Sequence, residues 1–288
     1  MSRAVPILAL LTATLVFSAP ARAQWSTDSL SEPRGTLVAV TIGDYVLFAG
    51  GDNPSPPGNS DAVDIYNRVT GTFSPGPPLS VARAFLCGTA VGPYAMFAGG
   101  GINSTTPLNV VDIYDSTLGP PSDPAAWSTA QLSQPRDSLA AASIGGKAIF
   151  AGGKPAADTV DVYDSALGAP SDPGAWTTDL DGDGQPDTLS QGRFGLAVAV
   201  VGDQVVFAGG VDPAIGALNT VDIYDDSTMS WSTTTLSEAR VVAWASAAVG
   251  TRAYFAGGEK GPGMLSAVVD IYDAQTGLWS CTTLPEPR

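Results

Sequence analysis

The chain is predicted to be all-β, a β-propeller of four-stranded antiparallel blades, and three observations predict it. The tetrapeptide Phe-Ala-Gly-Gly recurs at residues 48–51, 97–100, 150–153, 207–210 and 255–258. Each copy sits between a Leu-Ser-x-x-Arg segment and a Val-Asp-Ile/Val-Tyr segment. The stretches between are short, rich in β-branched and apolar residues, and punctuated by glycine. Four short strands in roughly 50 residues cannot bury an apolar face alone, but tandem copies packed radially around a channel can. A solenoid of stacked sheets is the structural alternative, with repeats usually shorter than these.

The repeat that begins at Arg193 shows each element. Leu196-Ala-Val-Ala-Val-Val201 is apolar on both faces, as a buried first strand requires, and ends at Gly202-Asp203. Gln204–Ala208 is the second strand of that hairpin. The matching turns are Gly43-Asp44, Gly92-Pro93, Gly145-Gly146 and Gly250-Thr251. Gly209-Gly210 leaves room for a sharp exit beside a neighbouring backbone. After a variable loop, Val221-Asp222-Ile223-Tyr224 alternates as a third strand, and Trp231–Leu236 makes a fourth.

The repeats run over about 34–79, 83–132, 136–189, 193–236 and 240–284. The Leu-Ser-x-x-Arg segment with its preceding strand occurs a sixth time, so Trp25–Leu30 duplicates Trp279–Leu284. Either the ring closes as five blades with one surplus strand, or the chain belongs to a six- or seven-bladed ring. The stop at Pro287-Arg288 favours the second expectation, and exposed edges would then lower solubility.

Residues 1–23 read as a secretory signal, because Arg3 leads an apolar run that closes on Ala21-Arg22-Ala23. The mature chain, residues 24–288, is expected to be secreted or periplasmic and not inserted in a membrane. Without Arg3 and Arg22 it carries 11 cations against 28 acids, so the formal charge moves from -15 to -17. Nucleic acid and anionic membranes are poor partners for such a surface. Histidine is absent throughout, which removes the Ser-His-Asp triad, His-ligated zinc and imidazole proton transfer. Cys87 and Cys281 fall at non-equivalent positions, and their pairing is open.

The glycine pair, then Tyr66, Tyr114, Tyr163, Tyr224 or Tyr272, then Phe73, Trp127, Trp176, Trp231 or Trp279, resembles the kelch repeat over roughly residues 25–288. The resemblance implies a scaffold shared by protein-binding adaptors, sugar-processing periplasmic proteins and copper radical oxidases. The copper site of the last group is built with His and a Tyr-Cys pair, so neither copper nor zinc is expected here.

Residues found in every repeat most economically serve the fold. The recurring Phe, Tyr and Trp are expected in the core. Asp64, Asp112, Asp161, Asp222 and Asp270 are expected to accept hydrogen bonds in turns or between blades. Arg34, Arg83, Arg136, Arg193 and Arg240 admit two readings. By resemblance to adaptors that bind acidic peptides they would form an anion-binding rim, since guanidinium groups capture carboxylates in pairs of bonds. Otherwise each would pair with a carboxylate or carbonyl of a neighbouring blade.

The sharpest feature unique to one repeat is Asp179-Leu-Asp181-Gly-Asp183-Gly184-Gln185-Pro-Asp187. Oxygens from Asp179, Asp181, Asp183, Asp187 and the Gln185 carbonyl, with Gly184 at the sharp turn, fit calcium. The position of the bidentate EF-hand Glu is Ser190, so a solvated Asp-Gly turn stands as the other reading. Two near-copies, Asp115–Trp127 and Asp164–Trp176, lengthen adjacent blades as stiff turns or a shared binding edge. Trp244 is a candidate stacking platform in the channel or a core filler, and Asn103-Ser104-Thr105 fits a glycosylation acceptor. The function expected from all this is a non-catalytic exported propeller that binds a protein or glycan, including an anionic one, through the loops of one face. The alternative is a carbohydrate-active enzyme of epimerase or lyase type that uses carboxylates at the propeller mouth.

Overall fold

A computed structural model describes residues 27–54, 58–102, 106–155, 157–241 and 246–288. The leader residues 1–23, Asn103-Ser104-Thr105 and Trp244 lie outside the described residues. Among the described residues no helix is long and apolar enough to cross a membrane.

The described residues form five four-stranded antiparallel sheets, each in simple sequence order, plus two two-stranded hairpins. Blade 1 consists of β1 (Val38–Ile42), β2 (Tyr45–Ala49), β3 (Val63–Asn67) and β4 (Thr72–Pro75). Blade 2 consists of β5 (Cys87–Val91), β6 (Tyr94–Ala98), β7 (Val110–Asp115) and β8 (Trp127–Gln131). Blade 3 has β9 (Ala140–Ile144), β10 (Lys147–Ala151), β11 (Val160–Asp164) and β12 (Trp176–Thr177). Blade 4 has β13 (Ala197–Val201), β14 (Gln204–Ala208), the hairpin β15 (Val211–Asp212) and β16 (Gly216–Ala217), then β17 (Thr220–Asp225) and β18 (Ser230–Thr235). Blade 5 has β19 (Ser246–Val249), β20 (Arg252–Ala256), the hairpin β21 (Glu259–Gly261) and β22 (Met264–Leu265), then β23 (Val268–Asp273) and β24 (Leu278–Thr283).

The innermost strands β1, β5, β9, β13 and β19 adjoin in that order, which lays the blades side by side around one axis. The sheets do not merge into a closed one, because each blade's strands pair only within it. The core therefore lies between blades. Phe97 and Tyr114 of blade 2 pack with Val40, Ile42, Leu47, Val63 and Ile65 of blade 1. Phe150 with Tyr163, Phe207 with Tyr224, and Phe255 with Tyr272 repeat that contact on the preceding blade. The fourth-strand Trp stacks on the Phe, as in Phe97–Trp127 at 5.9 Å and Phe150–Trp176 at 6.0 Å between ring centroids. Burial of each such ring is worth roughly 1.5–3 kcal/mol.

Thr27–Leu30, the described part of the expected surplus strand, lies outside any sheet. The outer strand of blade 5 is β24, supplied by the C-terminal copy. Cys87 and Cys281 are free thiols, one buried in β5 and the other exposed in β24. Burial pushes the Cys87 thiol up to about 12.

Candidate functional site

The arginines do not form a solvent-facing rim. The side chains of Arg34, Arg83, Arg136, Arg193 and Arg240 are all 0% exposed, and each pairs with the Asp on the third strand of its own blade: Asp64, Asp112, Asp161, Asp222 and Asp270. Arg83 is representative. Its Nη1 lies 2.8 Å from Asp112, while Nε donates to Gly99 O at 2.7 Å and Nη2 to Phe97 O at 3.0 Å. Its backbone belongs to the preceding blade, where Arg83 N donates to Ser60 O at 3.1 Å and Gly51 N donates to Arg83 O at 2.9 Å. Asp112 completes the joint by accepting from Ser80 N at 2.9 Å. Arg83, Arg136, Arg193 and Arg240 thus rivet one blade to the next, their carbonyls accepting from Gly51, Gly100, Gly153 and Gly210 of the blade before. Burial holds the Arg83, Arg136 and Arg193 guanidiniums below their ordinary pKa, and the paired carboxylates push them back up.

The Asp-rich segment interrupts the outer strand of blade 3. The chain leaves the sheet after β12 and rejoins it at Thr188, which bridges Thr159. The segment therefore lies at the perimeter, beside Tyr224 of blade 4, whose hydroxyl donates to Leu180 O at 3.4 Å. Asp179, Asp181 and Asp187 bring carboxylate oxygens within 4.8 Å of one another, while Asp183 falls outside that group. Asp179 accepts from Gly182 N at 2.7 Å and Gly184 N at 2.8 Å, and the Gln185 amide donates to Asp183 at 2.7 Å. Burial, with Asp181 adding to it, raises the Asp187 carboxyl, and the amides of Leu180 and Asp181 pull it back.

The near-copies close on their own blades. Trp127 Nε1 donates to Pro121 O and Trp176 Nε1 to Pro170 O, both at 2.9 Å. Asp123 and Asp172 cap the short 3-10 turns Pro124–Ala126 and Pro173–Ala175. They are stiff turns. A shallow groove of about 670 Å³ runs between β8 and the second of them.

A cavity of about 430 Å³ opens where the blades converge, and residues of all five line it. The second residue after Arg34, Arg83, Arg136 and Arg193 stands at its mouth: Thr36, Phe85, Ser138 and Gly195. These four share a left-handed backbone, with φ of 47°, 57°, 56° and 61°. The conformation joins neighbouring blades through the backbone. Phe85 N donates to Thr36 O at 3.3 Å, Ser138 N to Phe85 O at 2.9 Å, and Gly195 N to Ser138 O at 3.0 Å. Glycine adopts this conformation freely, whereas an L side chain costs roughly 1–2 kcal/mol. Blade 4 has the glycine. Blades 1, 2 and 3 keep Thr, Phe and Ser at that cost, and Phe85 is 42% exposed.

Two acids bond residues of this mouth. Thr36 Oγ1 bonds Asp52 at 2.5 Å and Ser138 Oγ donates to Asp137 at 2.9 Å. Asp137 is 6% exposed, and burial raises its carboxyl above the usual carboxylate range while Ser138 and Lys154 pull it down. The cavity walls are largely apolar: Leu37, Val38, Leu86, Leu139, Ala140, Leu196 and Val241. Such walls fit an apolar group.

Sequence reasoning passed over Thr36, Phe85 and Ser138 because they sit inside a repeat, two residues from an invariant arginine. The readable signal was variation within the register: the position holds Thr36, Phe85, Ser138, Gly195 and Val242 in successive repeats.

Five radially arranged four-stranded blades with buried inter-blade joints define a protein of the β-propeller class. Residues 192–235, the repeat of blade 4, match the family model of the Kelch motif. That repeat therefore carries a Kelch motif, and the other four blades repeat its strand order and its Arg, Gly-Gly, Tyr pattern.

Proposed function

We propose that the protein is an exported, non-catalytic kelch propeller that binds a protein partner at the channel mouth, by seating an apolar side chain against Phe85. The observation that carries this reading is the set of side chains kept in left-handed backbone at one ring position, around a cavity lined by all five blades. Strain retained where glycine would cost less is a mark of function. The apolar leader read in residues 1–23 supports export. The exposed Asp52 beside Thr36, on a chain of formal charge -15, favours a partner segment with Lys or Arg beside its apolar anchor over the anionic ligand that a rim of arginines would take.

Selection from a displayed random-peptide library tests the reading. Binders should carry an apolar anchor next to a basic residue, and Phe85→Ala should weaken them at least about tenfold, the loss of one buried anchor. Binders indifferent to Phe85 would place the site elsewhere. One observation favours the carbohydrate-enzyme alternative, namely the buried Asp137 carboxyl with its raised pKa at the same mouth. Sugar turnover abolished by Asp137→Asn would establish that alternative.

The same reading includes calcium at the blade 3 perimeter, held by Asp179, Asp181 and Asp187, with Asp183 and the Gln185 carbonyl closing on the ion. Three carboxylates drawn together in nine residues support it, because they repel unless a cation or protons intervene. Millimolar calcium should raise the melting temperature by about 2–4 °C for each kcal/mol of binding free energy. Asp181→Ala should abolish the shift. Equal melting in calcium and in chelator would leave the segment a plain turn.

A further inference from the structure

The Tyr and Trp of a blade lie against the blade before it, and their buried polar ends need partners. Blades 2 and 3 supply these themselves, through the turns 115–126 and 164–175 that separate Tyr from Trp. There Tyr114 Oη donates to Gly119 O at 2.8 Å and Tyr163 Oη to Gly168 O at 2.9 Å, while the Trp127 and Trp176 indoles donate to Pro121 O and Pro170 O. Ala126 and Ala175 of the same turns are buried in the two cores. Blade 4 has only residues 225–230 between Tyr224 and Trp231, too few for such a turn. Its cover comes from blade 3. Tyr224 Oη donates to Leu180 O at 3.4 Å, and the Leu180 side chain, 4% exposed, joins Phe207, Tyr224 and Trp231 in the core. Trp231 Nε1 is buried and bonds no turn carbonyl, and beside it lies Asp187 of the same segment. Blade 5, whose turn 273–278 is as short, likewise turns Tyr272 Oη to the preceding blade, where Gln204 Oε1 accepts at 2.8 Å.

We propose that Asp179–Asp187 is a strap that blade 3 lends to blade 4, taking from outside the place of the turn that blade 4 lacks. The segment is fixed in that position. Asp187 N donates to Thr178 O at 2.7 Å and closes the base, while the Asp187 carboxylate accepts from Leu180 N at 2.5 Å and Asp181 N at 3.1 Å and holds Leu180 over blade 4. Residues 182–186 beyond are exposed. One buried side chain thus ties an exposed tip to the joint between blades 3 and 4, and blade 4 depends on blade 3 for a cover that blades 2 and 3 carry themselves. The role stands on packing and hydrogen bonds and needs no calcium.

Hydrogen exchange read strand by strand tests it, in chelator, so that the result is independent of the calcium proposed above. Leu180→Ala should speed exchange at the amides of β17 and β18 by about tenfold or more, because it opens a cavity beneath the strap, and should leave β7 and β8 of blade 2 unchanged. A second protein joins Thr178 directly to Asp187, as Thr129 is joined to Ala130 in blade 2, and should loosen β17 and β18 in the same way. Replacing Ser227–Ser230 of that shortened protein by the Thr117–Ala126 sequence gives blade 4 a turn of its own and should restore wild-type protection. Exchange speeded equally in all blades, β17 and β18 unaffected by Leu180→Ala, or a graft that folds without restoring protection would each overturn the proposal.

Discussion

Arg83→Ala is expected to destabilise the propeller by about 3–5 kcal/mol, the cost of leaving one member of a buried ion pair alone. Asp112 is 4% exposed and would lose its guanidinium partner, while Gly99 O and Phe97 O would lose the donors Arg83 supplies. The joint spans two blades, because the Arg83 backbone is bound by Ser60 and Gly51 of blade 1. Arg83→Lys should recover part of the loss, since an ammonium keeps the charge but cannot place three donors in one plane. Replacing both Arg83 and Asp112 by apolar residues should cost less than Arg83→Ala alone. Urea unfolding at constant m-value measures all four proteins. An unchanged midpoint in Arg83→Ala would mean that the guanidinium is dispensable to the fold and free for a ligand.

Gly99→Ala is expected to cost roughly 3 kcal/mol, from left-handed strain and overpacking together. Gly99 has φ +63°, and an added Cβ would lie 2.5 Å from Arg136 O and 2.8 Å from Leu139 Cδ2. That carbonyl cannot withdraw, because it accepts from Gly100 N at 2.9 Å and holds blade 3 against blade 2. Gly43→Ala is the control. Gly43 has φ +52° but nothing within 4 Å of its Cβ, so its substitution should cost only about 1 kcal/mol of backbone strain. The difference between the two substitutions isolates the inter-blade contact. Equal losses, read from the same urea transitions, would show that the glycine pair serves backbone conformation alone.

The blades were legible in the sequence because their cause is local and repeated. Apolar runs, Gly-Asp turns and Phe-Ala-Gly-Gly exits recur in register, and Val38–Ala49, Cys87–Ala98 and Ala197–Ala208 form the hairpins they predict. The arginines were harder. Their spacing places them at the entry to the innermost strand, but whether a side chain there turns outward or into its own blade depends on Asp residues about 30 positions away. The structure turns them inward. The perimeter position of Asp179–Asp187 was equally hidden, since nothing local says that β12 stops after Thr177. Thr36, Phe85 and Ser138 were missed for a different reason: left-handed backbone at a non-glycine residue leaves no mark on composition or periodicity.

Hydrogen exchange of the protein with and without a library-selected peptide locates ligand recognition on the propeller. Recognition at the channel mouth should slow exchange in the inter-blade ring, at the amides of Phe85, Ser138 and Gly195, together with the innermost strands just below, and leave the Asp179–Asp187 segment and the outer strands β8 and β18 unchanged. Protection confined to the perimeter, with the ring amides unaffected, would contradict it.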